Sequence, residues 1–245
     1  VIVGCGNQAG EDSRCIARHA LLRAGLPIET PGTVIQRNCG SGLGAIISAS
    51  HAITCGEADV VVAGGVESMT RAPFVIAKAE QLYSKQFTSF DSALGARFPN
   101  PKLEEKFGSD TMPQTADNLA VEFELSREDC DIFAFRFQEK YAAAKLDEFF
   151  KDEIVSYKVP GNHKTPAVIV EEDEFPRPGT PLEKFSGMRV LNSGGVTTAA
   201  NSSGLNDGAV AVLVSGESAI MKIDRPPLVR ILSSGVAGVP PRTMG

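Results

Sequence analysis

The 245-residue chain is 42% hydrophobic and 22% charged, which suits a folded protein with a substantial core and room for more than one compact unit. Its formal net charge of −6 offers no basic stripe to neutralise phosphates, so nucleic acid is not an expected partner. No apolar run approaches the roughly 20 residues that span a bilayer, so no membrane partner is expected either. Five cysteines (Cys5, Cys15, Cys39, Cys55 and Cys130) show no CxxC spacing, which points to reduced thiols and a cytoplasmic setting rather than a disulfide scaffold. His19, His51 and His163 have no metal-ligand spacing, and no metal site is expected.

The chain opens on "VIV", a strand signal that runs through Gly4 and Gly6 into "EDSRCIARHALLRAGLP". The second segment reads as a helix with acidic residues first, Ile16, Ala20 and Ala24 on its apolar face, and a stop at Gly25. "TVIQ" predicts a strand, and "SGLGAIISASHAITCG" a helix over 41–55 with Leu43, Ile46, Ile47, Ser50 and Ile53 on one side. "ADVVVAGG" has the continuous apolar character of a strand buried on both faces. Strand, helix and strand in this order predict an α/β fold with a parallel sheet.

From Arg71 to Val196 the chain turns proline-rich, charged and irregular. Within it, "SREDCDIFAFRFQEKYAAAKLDEFF" opens on a capping box, Ser126 with Asp129, and its stripe of Phe133, Phe137, Tyr141 and Ala144 predicts a core-facing helix side. "AVAVLVS" near the end predicts another buried strand. The expected organisation is an N-terminal α/β domain over 1–71 plus 203–233, an inserted domain over 72–202, and the start of a further domain over 234–245. Both chain ends read as cut.

Two short motifs invite chemistry. "GCGNQAG" spaces its glycines GxGxxxG, one residue off the dinucleotide fingerprint, with no acidic residue closing a second strand, and is set aside. "VIQRNCGSGLGAI" is more informative, because it puts Cys39 at a strand-to-helix turn, the layout of a nucleophile elbow. Gly40 and Gly42 admit backbone angles and close approaches that a Cβ would forbid, and first-turn amides can hydrogen-bond a developing oxyanion. A helix start favours an anion by only ~0.3–1 kcal/mol, too little to ionise an ordinary thiol at neutral pH, so a base is required. A small buried cysteine beside a tight turn is the plain alternative. Ser41 is the weaker nucleophile candidate.

"NCGSGLGAI" followed by "GEADVVVAGGVESMTRAPF" resembles the two N-terminal signatures of the thiolases. "MPQTADNLA" and "VTTAANSSGLNDGAVAV" resemble two further stretches of that family, so the likeness runs along essentially the whole chain. "GCGNQAGED", "GVESMTRAPFVIAKAE" and "RFPNPKLEEKFGSDTMPQTADN" are most similar to the branch acting on 3-oxoadipyl-CoA. The resemblance implies the N-terminal half of a layered α-β-α-β-α fold with an inserted loop domain that grips coenzyme A. It implies an acyltransferase that cleaves a 3-oxoacyl-CoA through an acyl group held on Cys39. Coenzyme A serves as co-substrate, with no permanently bound cofactor, and the assembly is a homodimer or homotetramer.

Carried across by position, Leu103, Met112 and Ala199 would line the pantetheine channel, Ser203 would hydrogen-bond it, and Arg177 would lie against the adenine nucleotide. Packing, a tight turn and a solvated loop charge are the respective alternatives. A dicarboxylic acyl chain needs a cation at its far end. Arg97, in the subgroup-like "ARFPNP", is the candidate, with a simple surface charge as its alternative. Gln36, Asn38, Leu191 and "AANSSG" depart from the family pattern, and its C-terminal NEAF-like, GHPxGxSG and CxGxG stretches do not occur. Two rivals stand beside the thiolase reading: a non-catalytic acyl-CoA-binding or inert fragment, and a ketoacyl-synthase-type condensing enzyme, against which "GGVESM" and the full-length inserted domain speak.

Overall fold

The structure is a computed structural model that describes residues 1–12, 14–79, 81–95, 97–223 and 226–244. In chain order its strands and helices are β1 (Ile2–Gly4), α1 (Ile16–Arg23), β2 (Thr33–Ile35), α2 (Ser41–Thr54), β3 (Val60–Glu67), β4 (Phe74–Ile76) and β5 (Ser89–Asp91). There follow α3 (Pro101–Phe107), α4 (Met112–Glu122), α5 (Arg127–Leu146), β6 (Tyr157–Val159), β7 (Val168–Val170), α6 (Leu182–Ser186), β8 (Gly208–Ser215) and α7 (Glu217–Ile220). The chain divides into two compact units, 1–100 with 205–238 and 101–204 with 239–245. Among the described residues, no helix is long and apolar enough to cross a membrane.

The first unit is built on a four-stranded sheet of order β2-β1-β3-β8. β1 runs parallel to β2 and to β3, as the strand–helix–strand pattern predicts. β8 returns antiparallel along the whole of β3, so the sheet is mixed rather than parallel. Ala49 of α2 packs on Val61 and Ala63 of β3, with Ile2, Ile46, Ile53 and Val214 around them. α1 and α2 both end as the glycines predict. Gly25 and Gly56 take φ +79° and +75°, and Leu26 N–H and Glu57 N–H reach back to Leu21 O and Ala52 O, a geometry open to residues without a Cβ.

Several apolar faces lie elsewhere than the sequence pattern suggests. α1 starts at Ile16, the acidic residues before it fall in a 3-10 turn (Gly10–Asp12), and the helix buries Ala17 and Leu21 instead of Ile16, Ala20 and Ala24. α2 buries Ser41, Gly44, Ala45 and Ala49, while Leu43 is 65% exposed. Small residues let α2 sit close to the strands, so its contact face is the small-residue side and the bulky side faces partly outward. β8 is not a buried strand: it is an edge strand bonded on one side to β3, and Val210, Val212 and Leu213 are exposed. Nor is the aromatic stripe of α5 core. Phe133 and Phe137 touch one another with centroids 6.4 Å apart but are 72% and 64% exposed. α5 instead turns Asp131 inward, with the Phe135 ring edge-on to Phe185 of α6.

In the second unit the predicted capping box at α5 is present, and α4 carries a second that the sequence reading did not name. Ser126 Oγ accepts from Asp129 N–H and the Asp129 carboxylate accepts from Ser126 N–H, and Thr111 and Gln114 do the same at α4. A two-stranded hairpin, β6-β7, completes this unit. In the first unit, the hairpin β4-β5 is fastened to β1 through the side chain of Asn7, which donates to Ser92 O and Oγ.

The contact that sets the first unit's geometry is at Gly4. A Cβ there would lie 2.3 Å from the Ser41 carbonyl carbon and 2.4 Å from Gly42 N. Gly4→Ala is therefore expected to force β1 and α2 apart and destabilise the protein by about 1–3 kcal/mol or more, read as a lowered thermal midpoint.

Candidate active site

Cys39 stands on the turn between β2 and α2, and its side chain is exposed. The turn is closed by Gly40 N–H on Arg37 O and Ser41 N–H on Asn38 O, both at 3.0 Å. Ser41 is buried, and its hydroxyl donates to Asn38 O at 2.6 Å and accepts from Arg37 N–H at 2.8 Å. That hydroxyl is a brace for the loop and not a nucleophile.

The sharp backbone angle falls on Asn38, at φ +45°. Asparagine tolerates the left-handed region better than most residues, which explains its presence beside the cysteine. Gly40 keeps an ordinary φ of −88°, and a Cβ at Gly42 would meet open space. The expected need for unusual angles at these glycines is thus corrected to Asn38, and what Gly42 provides is room. The first two amides after Cys39 are committed to the turn, which narrows the choice of oxyanion donors. His51 lies ten residues beyond Ser41 in α2, about 15 Å along the helix axis, and its ring pairs with Ser234 Oγ. It is not placed to deprotonate Cys39.

The neighbouring loop after β1 is organised by Glu67, at the end of β3. Its carboxylate accepts Gly6 N–H at 2.7 Å and Asn7 N–H at 3.0 Å, with Cys5 Sγ at 3.8 Å. Burial, and then the Glu67 charge, push the Cys5 thiol up. Burial and the Asp131 charge do the same to Cys130. Both thiols are therefore held in the protonated, weakly nucleophilic form. Arg97 donates to Asn7 Oδ1 at 2.7 Å and borders a cavity of about 300 Å³ together with Arg14 and Gln36.

The other predicted contacts all fall in the second unit. Leu103 on α3 and Met112, the first residue of α4, are 55% and 56% exposed. Ala199 and Ser203 are exposed on the irregular segment leading to β8. Arg177 is exposed, and its Nη1 donates to the carbonyls of Glu174, Phe175 and Pro176 in its own loop. An open cavity of about 380 Å³ in this unit is lined by α4 and residues 192–196, and by none of these five residues.

The sequence reading missed the residues that hold these loops. Asp117 accepts from Val196 N–H, Thr197 N–H, Thr197 Oγ1 and Asn192 Nδ2 at 2.7–3.2 Å. Asp131, 2% exposed, receives Arg127 Nε at 2.7 Å and Asn201 Nδ2 at 2.9 Å. Asn201 Oδ1 in turn accepts Thr198 N–H, and Thr198 is fully buried. In the first unit Asp207 accepts Thr70 N–H and Oγ1 and Ser68 Oγ. Short acids next to glycine- and threonine-rich turns were the available signal, as was the lone charge of Asp131 between Cys130 and Ile132.

The family description "Thiolase, N-terminal domain" matches residues 1–218. Beta-ketoadipyl-CoA thiolase of Pseudomonas putida is 47% identical over 246 residues, a match covering 100% of this chain and 61% of that protein. The crystal structure of the Bacillus anthracis acetyl-CoA acetyltransferase superposes with a TM-score of 0.83 at 34% identity, covering 99% of this chain and 60% of that one. That of human mitochondrial 3-ketoacyl-CoA thiolase in complex with CoA gives a TM-score of 0.77 at 36% identity, over 90% of this chain and 54% of the other. The fold is the mixed α/β arrangement of the N-terminal half of these proteins, and the chain belongs to the thiolase family. It spans about 61% of the length of its Pseudomonas relative.

Ser41→Ala is expected to leave Arg37 N–H and Asn38 O without their hydroxyl partner, cost about 1–3 kcal/mol, and speed alkylation of Cys39 by loosening its turn. Timed iodoacetamide labelling read by peptide mass measures this. At Asp117, burial pushes the carboxyl up, but the Asn192, Thr197 and Val196 donors outweigh it and hold the group below its ordinary value of 3.8. A depressed carboxyl stabilises the fold above the unfolded value and loses that contribution as pH falls through the folded one. Hydrogen exchange at the Val196 and Thr197 amides should therefore accelerate as pH drops below about 4, relative to the intrinsic rate. In Asp117→Asn that acid-dependent step should vanish.

Proposed function

We propose that this chain carries the acyl-forming site of a thiolase, with Cys39 as the nucleophile. The observation that supports it most is the exposed sulfur on a turn braced from beneath by Ser41, while Cys5 and Cys130 are held protonated. The Cys39 thiolate attacks the 3-keto carbon of a 3-oxoacyl-CoA. The C2–C3 bond breaks, the acyl group remains on sulfur as a thioester, and the carbanion of acetyl-CoA takes up a proton and leaves. The thiolate of a second coenzyme A then attacks the thioester, and the Cys39 thiolate is restored, so one difficult cleavage becomes two easier steps. With the Gly40 and Ser41 amides committed to the turn, we assign the Cys39 amide to the oxyanion.

The substrate we assign is 3-oxoadipyl-CoA, which leaves a succinyl group on Cys39; the 47% identity to a beta-ketoadipyl-CoA thiolase supports this. In the second unit, Leu103, Met112 and Ala199 contribute apolar surface to the pantetheine arm and Ser203 a hydroxyl to its amides. Their exposure is in keeping with that role. Arg177 turns one edge of its guanidinium to loop carbonyls, which leaves the planar face suited to stacking on adenine. We assign the protein to the cytoplasm, in keeping with its five free thiols, and to a homodimer or homotetramer.

Brief incubation of the complete gene product with 3-oxoadipyl-CoA, quenched before coenzyme A is added, should give a succinyl adduct on the peptide bearing Cys39. Cys39→Ala should abolish the adduct and lower turnover on the order of 10⁴-fold or more. An adduct on another cysteine, or undiminished turnover in the variant, overturns the assignment. Binding of acyl-CoA with neither adduct nor turnover identifies a non-catalytic binding protein.

A further inference from the structure

We infer that the cavity beside the Cys39 turn is an acyl pocket for a dicarboxylic chain, in which Arg14 and Arg97 hold the distal carboxylate. This rests on Cys39 being the acyl-bearing residue and goes further in naming a second cation and the cavity that both cations line. The cavity, about 300 Å³, lies wholly within the first unit. Two arginines, Arg14 and Arg97, line it together with Asn7, Gln8 and Gln36. The described residues that line it include no acid. The Glu67 carboxylate, at the end of β3, is occupied with the Gly6 and Asn7 amides and the Cys5 thiol. A cavity of this lining suits a small anion with an apolar stem, and Val34 supplies an apolar patch.

Placement ties the cavity to the nucleophile. Gln36, in its wall, precedes Cys39 by three residues, so their Cα atoms are at most about 11 Å apart. Gly6, also in the wall, approaches the turn so closely that a Cβ on it would come within 4.0 Å of Asn38 Cα. Gln36 Nε2 donates to Gly6 O at 2.7 Å, joining two cavity-lining segments, one of which leads straight into the turn.

The position of Arg97 is itself determined. It donates to Asn7 Oδ1, while Asn7 Nδ2 donates to Ser92 and Asn7 N–H donates to Glu67. Among the described residues the acceptor that fixes Arg97 is a neutral one, which keeps its charge for an anion. A planar fork of donors is the group that best matches a carboxylate.

The test uses the complete gene product carrying Cys39→Ala, so that nothing reacts, and compares succinyl-CoA with butyryl-CoA, which have acyl chains of equal carbon number but differ at the far end. Calorimetric titration should show tighter binding of succinyl-CoA. The succinyl-to-butyryl affinity ratio should fall roughly tenfold or more in Arg97→Gln and again in Arg14→Gln. Arg14→Gln covers the case in which loss of the Asn7 contact unfolds the Arg97 variant.

A parent protein that does not prefer succinyl-CoA, or fails to bind it, overturns the pocket, as does a ratio left unchanged by the arginine variants. Wild-type enzyme that forms no adduct on Cys39 but retains the arginine-dependent preference removes the catalytic reading and leaves the carboxylate pocket standing. An adduct without the preference does the reverse.

Discussion

The first unit depends on the close approach of β1 to the start of α2. Gly4 is where the two backbones meet, and no side chain fits between them. That contact, together with the small-residue face of α2 against β3, fixes where the helix begins. The turn that carries Cys39 must then close within a few residues. It does so with Asn38 in a left-handed conformation and with Ser41 tying both sides of the loop. The exposure of Cys39 goes with its place at the apex of so tight a turn.

Carboxylates hold much of the irregular chain. Glu67, Asp207 and Asp117 each collect two or more backbone or side-chain donors from a loop that has no ladder of its own. Asp131 does this from inside the second unit, with Arg127 balancing its charge. An ionised acceptor makes a stronger hydrogen bond than a neutral one, and buried amides must find partners. The acids in the family-like stretches "GVES", "TADN" and "LNDG" therefore brace the loops whose donors they collect. The Glu67 cluster also fixes the loop whose Asn7 carries Arg97, so one carboxylate orders two neighbouring features of the first unit.

The sheet strands and two helices of the first unit, and the turn that carries Cys39, were legible in the residues. Glycine stops ended α1 and α2 where expected, the predicted strand runs appeared in order, and a capping box stands where the Ser126 and Asp129 pair announced it. Cys39 was legible because a cysteine between a β-branched run and small residues is a local pattern. Which apolar face would be covered was less legible. The Phe133–Phe137 stripe and the valines of β8 have the periodicity of buried elements but are exposed in this chain.

Sequence alone determined the element types, the family-like signatures and the cysteine at the strand-to-helix turn, because propensity, capping and turn chemistry act over a few neighbouring residues. Only the tertiary structure decided that β8 pairs antiparallel at an edge, that Asp131 is interior while Phe133 is not, and that Arg14 and Arg97, 83 positions apart, border one cavity near Cys39. These are outcomes of long-range packing: burial depends on what the rest of the chain places against a face, and no local period carries that information.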